Sequence, residues 1–538
     1  MKRILLLIFG LISITSFSQE DAWIFFNAKP NAQYYYDNPL QMLSQRALDR
    51  RTAQNIALDI KDVPLHQPYI DQITASAGIV VLTKSKWLNA LHIRGTQTDI
   101  SALTALSFVD HIQYANHSLN PGGRKAIKGG NIKVSNKFLD IQVNYDYGTS
   151  SNQIQMLNGH ILHQQDHTGA GKIIAIMDAG FPGVNTTAPF QRLRDNGLIL
   201  GGYDFVNDSA NPYTGYQHGT QVLSDMGGYV SGQLVGTAPD AQYYLFITED
   251  VGSESPLEES NWVEAAEMAD NLGVDVINTS LGYFIYDNPN YSYDYADMNG
   301  TTSFISRAAD IAFTRGMICV TSAGNSGTSA NPHISVPSDS ALSFSVGAVN
   351  AAEVKANFSS IGPSFDGRIK PDVMAMGVAS VVATQTGTIG TNNGTSFASP
   401  ILAGAITSFW SAFPAKTNSE IIQLVKESAD RFTTPDNNYG YGIPDFQKAL
   451  NAVLSVSSHS EEKFNLYPNP TYDFVTISIP TASVGAEIVF HNNLGQIIFS
   501  QNINNTIQNI SLQNLSSGIY YYTIASAGGK RNGKIIKN

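Results

Sequence analysis

Three short segments of this chain each put a reactive side chain where a strand or helix meets a loop. Asp178 closes the apolar run Lys172-Ile-Ile-Ala-Ile-Met177 and has Gly180 two residues on. In open parallel sheets, sites form at the carboxyl ends of strands. His218 opens the segment His218-Gly-Thr-Gln-Val222, with Gly227 and Gly228 following. Ser396 lies in Gly394-Thr-Ser-Phe-Ala-Ser-Pro400, at the start of a predicted helix of small residues. Its hydroxyl and N–H then sit at the positive end of the helix dipole, where an oxygen developing negative charge is stabilised. Gly394 removes bulk beside it, and Pro400 is expected in the first helical turn, where a missing N–H costs little. Each residue alone has an ordinary structural reading as a turn former, a packed histidine or a helix cap. Together they are the parts of an acyl-transfer site. A serine hydroxyl is a weak nucleophile until a histidine takes its proton, and a carboxylate fixes that histidine's tautomer and steadies the imidazolium.

The segments around Asp178, His218 and Ser396, in that chain order, resemble those of the subtilisin-like (S8) serine proteases. The resemblance covers roughly residues 155 to 453. It implies an α/β fold, a subtilisin-like parallel sheet with helices on both faces, and an Asp178/His218/Ser396 triad. Val276-Ile-Asn-Thr-Ser-Leu-Gly282 resembles the strand that pairs with substrate backbone, which makes Ser280, Leu281 and Gly282 substrate-binding residues. Thr321-Ser-Ala-Gly-Asn-Ser-Gly327 resembles the loop that gives an asparagine to the oxyanion hole, hence Asn325, with Ala323 and Gly324 beside the substrate. Phe358-Ser-Ser-Ile-Gly-Pro363 and Lys370-Pro-Asp-Val373 match as scaffold. One departure stands out: the family places Ser or Thr after the triad aspartate, and here that residue is Ala179. The implied activity is endopeptidase hydrolysis of protein or peptide substrates through an acyl-enzyme, with no cofactor required for the chemistry. A non-catalytic cell-surface adhesin on the same scaffold is the alternative reading.

The elements that must position these residues fit a chain of several folding units. Its 538 residues are 43% hydrophobic and 14% charged, enough to build sizeable cores. The net charge of −12 argues against a nucleic-acid binder, whose affinity would come from phosphate neutralisation. With one cysteine, Cys319, no intramolecular disulfide and no Cys-rich zinc site can form. Lys2 and Arg3, the apolar run Ile4 to Ile14 and the small residues Ser16 and Ser18 have the order of a secretory signal peptide, assigned to residues 1–18. No later run is long enough to span a membrane.

Residues 19–150 read as a small α+β domain with a linker. It has strands over 22–26, 78–82 and 87–93, and helical character over 40–54 and 100–106. Placed between signal and protease, it resembles the propeptides of this family, which assist folding and then occupy the cleft as inhibitors. Residues 151–454 read as a larger α/β unit, the peptidase domain that the resemblance implies, with apolar strands over 172–177, 274–277 and 317–321 and helices over 261–271, 304–314, 399–410 and 418–429. After a polar linker at 455–463, residues 464–538 read as a small β-sandwich. Leu466-Tyr-Pro-Asn-Pro470 and the strand at Gly518-Ile-Tyr520 resemble a type A sorting domain of the type IX secretion system. The basic end by itself reads as a solvated terminus. The resemblances imply a product secreted or attached at the cell surface, exported through the periplasm of a Gram-negative bacterium by the type IX machinery.

Other segments are weaker. Thr168-Gly-Ala-Gly-Lys172 precedes its strand and lacks Ser or Thr after the lysine, which argues against a phosphate loop. Tyr295 to Gly300 puts tyrosine where the first calcium ligand belongs. A structural calcium near Asp204 to Asp208 is left open beside a solvated loop. The tyrosines from Tyr283 to Tyr295 either line the cleft or pack together.

Overall fold

The computed structural model describes residues 19–120, 144–454, 465–479, 483–526 and 529–538. The predicted signal peptide and the linker at 455–463 lie outside the described residues, as does most of the polar stretch 120–147. The described residues up to Leu450 form one compact unit, and those from Asn451 on form a second.

The first unit opens with the N-terminal domain: β1 (Gln19–Phe26), α1 (Ala32–Asp37), α2 (Gln45–Ala53), α3 (Gln67–Thr74), β2 (Val80–Ser85), β3 (Ala90–Thr96), α4 (Gln97–Ala102) and β4 (Val109–Tyr114). Its four strands make an antiparallel sheet in the order β2-β3-β1-β4. The helix expected over 40–54 is split, because the Ser44 hydroxyl accepts from Ala47 N (3.2 Å) and starts α2 there.

The larger α/β unit begins with α5 (Ser151–Gln155) and α6 (His160–Gln164) and enters its sheet at β5 (Ile173–Asp178). Then come α7 (Gln191–Asp195), β6 (Ile199–Asp204), α8 (His218–Gly227), the short pair β7 (Tyr229–Val230) and β8 (Leu234–Val235), and β9 (Gln242–Ile247). The chain continues through α9 (Pro256–Leu272), β10 (Val276–Thr279), α10 (Phe304–Thr314), β11 (Ile318–Ser322), β12 (Phe344–Val349) and β13 (Val373–Met376). A hairpin of β14 (Ser380–Ala383) and β15 (Ile389–Asn392) precedes α11 (Thr395–Ala412), α12 (Asn418–Ser428) and α13 (Phe446–Leu454).

Seven strands form one parallel sheet in the order β13-β12-β11-β10-β5-β9-β6. The winding reverses about β5, so Asp178, its last residue, ends at the point where such sheets open a crevice. All six β5 residues are buried. Ile173, Ala175 and Met177 pack in the cluster that holds α9 and α10. Side chains alternate along a strand, so Ile174, Ile176 and Asp178 face the other layer, where α8 and α11 lie. Cys319, on β11, is buried in the α9/α10 layer.

The N-terminal domain packs against α9. Glu267 accepts from Ser85 Oγ (2.6 Å), Lys86 N (2.9 Å) and Trp87 N (2.9 Å), and Trp23 Nε1 donates to Ser260 Oγ (2.8 Å). This binding of the turn after β2 delays β3 to Ala90, past the expected start at Trp87.

The second unit is two small sheets, β16 (Asn465–Tyr467), β17 (Phe474–Ser478) and β20 (Ile507–Ser511) against β18 (Glu487–His491), β19 (Ile497–Asn502), β21 (Gly518–Ser526) and β22 (Gly529–Lys537). Val475, Ile477, Ile488, Phe490, Ile510, Ile524 and Ile535 fill its core. The basic end read as a solvated terminus is therefore a paired strand, β22, along β21. Among the described residues, no helix is long and apolar enough to cross a membrane.

Candidate active site

His218 is the first residue of α8, which packs over the end of β5. That approach is close. A Cβ on Gly219 would lie 2.5 Å from Gly180 O and 2.8 Å from the Phe181 ring, so only glycine fits after the histidine. His218 Nδ1 and Asp178 Oδ1 are 2.8 Å apart, and Asp178 is 1% exposed. Burial alone acts to lower the His218 pKa. The Asp178 charge and its hydrogen bond together outweigh that, and the imidazole is held above the ordinary histidine value.

The same Asp178 Oδ1 accepts from Ala179 N (2.8 Å), while Oδ2 is buried with no hydrogen-bond partner. Ala179 has no side-chain donor to offer that oxygen.

Ser396 reaches the site on α11. Every residue from Thr395 to Trp410 is buried except Ser396. Gly394, just before the helix, has φ +154°, a conformation other residues rarely adopt. Ser396 is the second helical residue, so its N–H is among the four that find no partner within the helix. The ring of the next residue, Phe397, is 5.7 Å from the His218 ring, which brings the imidazole to the start of α11.

The Ser396 hydroxyl itself donates to Ser280 O (3.1 Å) and not to His218. Ser280 Oγ returns a bond to Ser396 O (2.9 Å). That second bond has a cause in the helix. Pro400 is not in the first turn, as expected, but four residues past Ser396, inside α11. It lacks the N–H that would pair with Ser396 O, and the Ser280 hydroxyl takes the place. The resemblance implies a substrate-binding role for Ser280 and does not show this support. The signal was present in the spacing Ser396 to Pro400.

Asn325 is tied to the same helix. Its Oδ1 accepts from Thr395 N (3.0 Å) and Thr395 Oγ1 (3.0 Å), which fixes the amide and leaves its NH₂ as the free end. Gly324 N donates to Thr395 Oγ1 (3.2 Å), and Ala323 N to Val346 O (3.0 Å). Thr395, beside the serine, is thus a second residue that motif reading passed over. Beyond β10, Ser280 is buried, Leu281 is half-buried against the α9/α10 layer and Gly282 is exposed. The nine residues singled out from sequence therefore gather around the carboxyl ends of β5, β10 and β11 and the start of α11.

The remaining candidates separate from the site. Tyr286 and Tyr293 donate to the Glu259 carboxylate (2.5 and 2.6 Å) and Tyr283 to Glu249, so these tyrosines are packed against carboxylates, and Tyr286 and Tyr293 line a small cavity with Trp23 and His117 of the N-terminal domain. Asp204 accepts from Val206 N, Asn207 N and Asn207 Nδ2, so the carboxylate considered for calcium is already engaged. Among the described residues, no group of three or more His, Cys, Asp or Glu is arranged to hold a metal ion.

Comparison with known proteins gives three matches along the chain. Residues 21–133 match the model "Peptidase S8 propeptide domain, Bacteroidota", residues 169–442 the "Subtilase family", and residues 465–538 the "Secretion system C-terminal sorting domain". Subtilisin of Bacillus pumilus is 30% identical over 301 residues, 55% of this chain and 97% of the relative. Serine protease AprX of Bacillus subtilis (strain 168) is 31% identical over 324 residues, 54% of this chain and 67% of its own length. Among solved structures, MycP1 from Mycobacterium smegmatis matches at 20% identity and a TM-score of 0.46, over 63% of this chain and 94% of that one.

Proposed function

The chain belongs to the subtilase family of serine peptidases, and from that premise we propose that it is a secreted endopeptidase working through Asp178, His218 and Ser396. The observation that carries this reading is the 2.8 Å bond between His218 Nδ1 and Asp178 Oδ1, formed where α8 meets the end of β5 beside the start of α11. His218 Nδ1–H donates to the carboxylate, which leaves Nε2 as the base. On arrival of a peptide, the Ser396 hydroxyl turns from Ser280 O to His218 and gives up its proton as its oxygen attacks the carbonyl carbon. Hydrogen bonds of this kind are often unformed in a free enzyme and tighten with substrate.

The tetrahedral oxyanion is held by the Ser396 N–H and the Asn325 NH₂, both at the positive end of α11. His218 then protonates the leaving amine, and water hydrolyses the acyl-enzyme by the same route. Ser280, Leu281, Gly282, Ala323 and Gly324 hold the peptide backbone in this reading.

The propeptide and sorting-domain matches support the rest of the life history. Residues 1–18 direct the chain to the periplasm, the sorting domain passes it to the type IX machinery, and the N-terminal domain inhibits the cleft until removed. The test is a fluorophosphonate probe on secreted, processed protein, with N-terminal sequencing to define it. Labelling of wild type and not of Ser396→Ala is the expected result. A properly processed wild type that does not label would leave the scaffold as a binding protein.

A further inference from the structure

The N-terminal domain touches the catalytic unit in a second place, far from any cleft. Its core has the order β1-α3-β2-β3-α4-β4, and residues 27–66, which carry α1 and α2, interrupt it between β1 and α3. This insertion gathers a small apolar cluster of its own from Met42, Leu43, Ala47 and Val63. It reaches the end of the large parallel sheet opposite Asp178, where interior strands β5 and β10 begin. β5, β10 and β11 run parallel, so their first residues lie at the end away from the triad.

There α2 engages the starts of β5 and β10, and residues around it engage those of β11 and α12. Arg46 donates to Gly171 O (3.0 Å), just before β5, and to Gly273 O (3.1 Å) and Asp275 (2.7 Å), just before β10. Asp275 also accepts from Ile173 N (2.9 Å) and Lys172 (3.3 Å), which joins those two strand starts. Arg50 donates to Val274 O and to the Asp270 carboxylate. Arg51 donates to both Asp270 oxygens (2.9 and 2.7 Å) and to Asp62 (2.9 Å) in its own domain.

A reverse pairing comes from the catalytic side. Arg315, three residues before β11, donates to Asp59 (2.9 Å) and Asp62 (3.3 Å) of the insertion. Gln54 donates to Gly316 O (2.9 Å) and accepts from Asn418 N (3.0 Å), the first residue of α12.

Each side thus supplies both signs of charge, and the exchange is sealed. Asp62 and Asp270 are 0% exposed, Arg51 2% and Arg50 7%. Bulk salt screens such pairs little, and removing one partner leaves an uncompensated buried charge. Asp270 sits in the last turn of α9, where the helix dipole disfavours an anion. Burial also acts to raise its pKa, yet Arg50 and Arg51 hold the carboxyl below the usual range. The anion depends on the arginines.

We infer that residues 42–62 form a holdfast, a surface that recognises this chain's own catalytic unit at the amino-terminal ends of its sheet strands, remote from Ser396, and keeps the N-terminal domain seated after the connecting chain is cut. This rests on the reading of that domain as an inhibitory propeptide and locates where its persistence is set. Emptying the cleft does not release the domain, because the holdfast lies elsewhere.

The test uses full-length chain allowed to process itself. Size exclusion in 1 M salt with mass analysis follows the cut N-terminal fragment, and a peptide assay follows the lag before activity appears. In wild type the fragment co-elutes with the catalytic unit and the lag is long. In Arg50→Met/Arg51→Met the fragment elutes alone and the lag shortens by about tenfold or more. Once free, the enzyme has wild-type kcat/KM, since both changes lie on the departed fragment. If that double variant does not accumulate, Arg46→Ala/Gln54→Ala, at the rim of the same contact, is read in the same two ways. A co-eluting fragment with an unchanged lag in processed variants overturns the holdfast. Wild-type chain that is fully active with its fragment bound overturns the inhibitor reading on which it rests.

Discussion

Ser280 and Ser396 hold each other by two reciprocal hydrogen bonds, hydroxyl to carbonyl in both directions, at 3.1 and 2.9 Å. One bond parks the nucleophile and the other repairs the helix that Pro400 interrupts. Ser280→Ala therefore leaves Ser396 O buried without its donor and costs about 1–2 kcal/mol of stability. In a Pro400→Ala background the restored N–H serves that carbonyl, and the same Ser280→Ala change costs less. Urea unfolding of the four proteins, each carrying Ser396→Ala to prevent self-digestion, gives the cycle. Equal costs in both backgrounds would contradict the account.

The two proposed catalytic roles differ in size. In subtilisin itself, loss of the nucleophile costs about 10⁶ in kcat and loss of the oxyanion asparagine about 10²–10³. Ser396→Ala and Asn325→Ala are expected to fall in that order, with KM little changed in Asn325→Ala. Steady-state kinetics on a peptide substrate measure both, and comparable losses would exchange or remove the assigned roles.

His218 acts as a base only when neutral, and Asp178 holds its pKa above the ordinary 6.5. The inactivating proton thus stays on to higher pH than for a free imidazole. The acid limb of kcat/KM is expected above pH 6.5, with activity rising as the pH passes through it. Asp178→Asn removes the attraction and leaves the opposing effect of burial, so the limb moves to lower pH while kcat falls by about 10⁴. A pH–rate profile of the two proteins decides, and a limb that stays in place separates Asp178 from the histidine.

Asp178 Oδ2 is a buried acceptor without a donor, beside a residue that has no hydroxyl. Ala179→Ser is expected to supply one and add about 1 kcal/mol of stability. The same bond draws charge from the carboxylate, so the acid limb moves slightly down. Thermal unfolding of the Ser396→Ala form measures the first effect. A loss of stability would show that the pocket around Ala179 has no room for an oxygen.

Much of this site was legible because catalysis needs particular residue types in fixed local settings. Asp178 at the end of an apolar strand, His218 before glycine and Ser396 after Gly394-Thr each keep a local signature. The supports were less visible because they are satisfied across the fold. Ser280 completing a helix and Thr395 fixing Asn325 are pairings over 116 and 70 residues. Element ends moved for similar reasons. Glu267 of α9 sets where β3 begins, while α12 opens at Asn418 as expected, behind the capping pair Thr417 and Glu420. The insertion holding α2 showed only a helical pattern with arginines on it, since the acidic partners of those arginines in the larger unit, Asp270 and Asp275, lie more than 200 residues away. In the sandwich, β16 is only three residues long, and β22 (Gly529–Lys537) was hidden by the Lys and Arg residues that read as a solvated terminus.

The one sulfhydryl of the chain, Cys319, is wholly shielded on a central strand, its Sγ lying against Ala309 O, and burial pushes its ionisation well above the usual thiol range. Reagents that poison exposed mercapto groups, and peroxides in aerated surroundings, have no thiolate to attack in the folded molecule. An enzyme so made needs no reducing milieu to keep working, and two copies cannot become joined through sulfur unless both have first come apart.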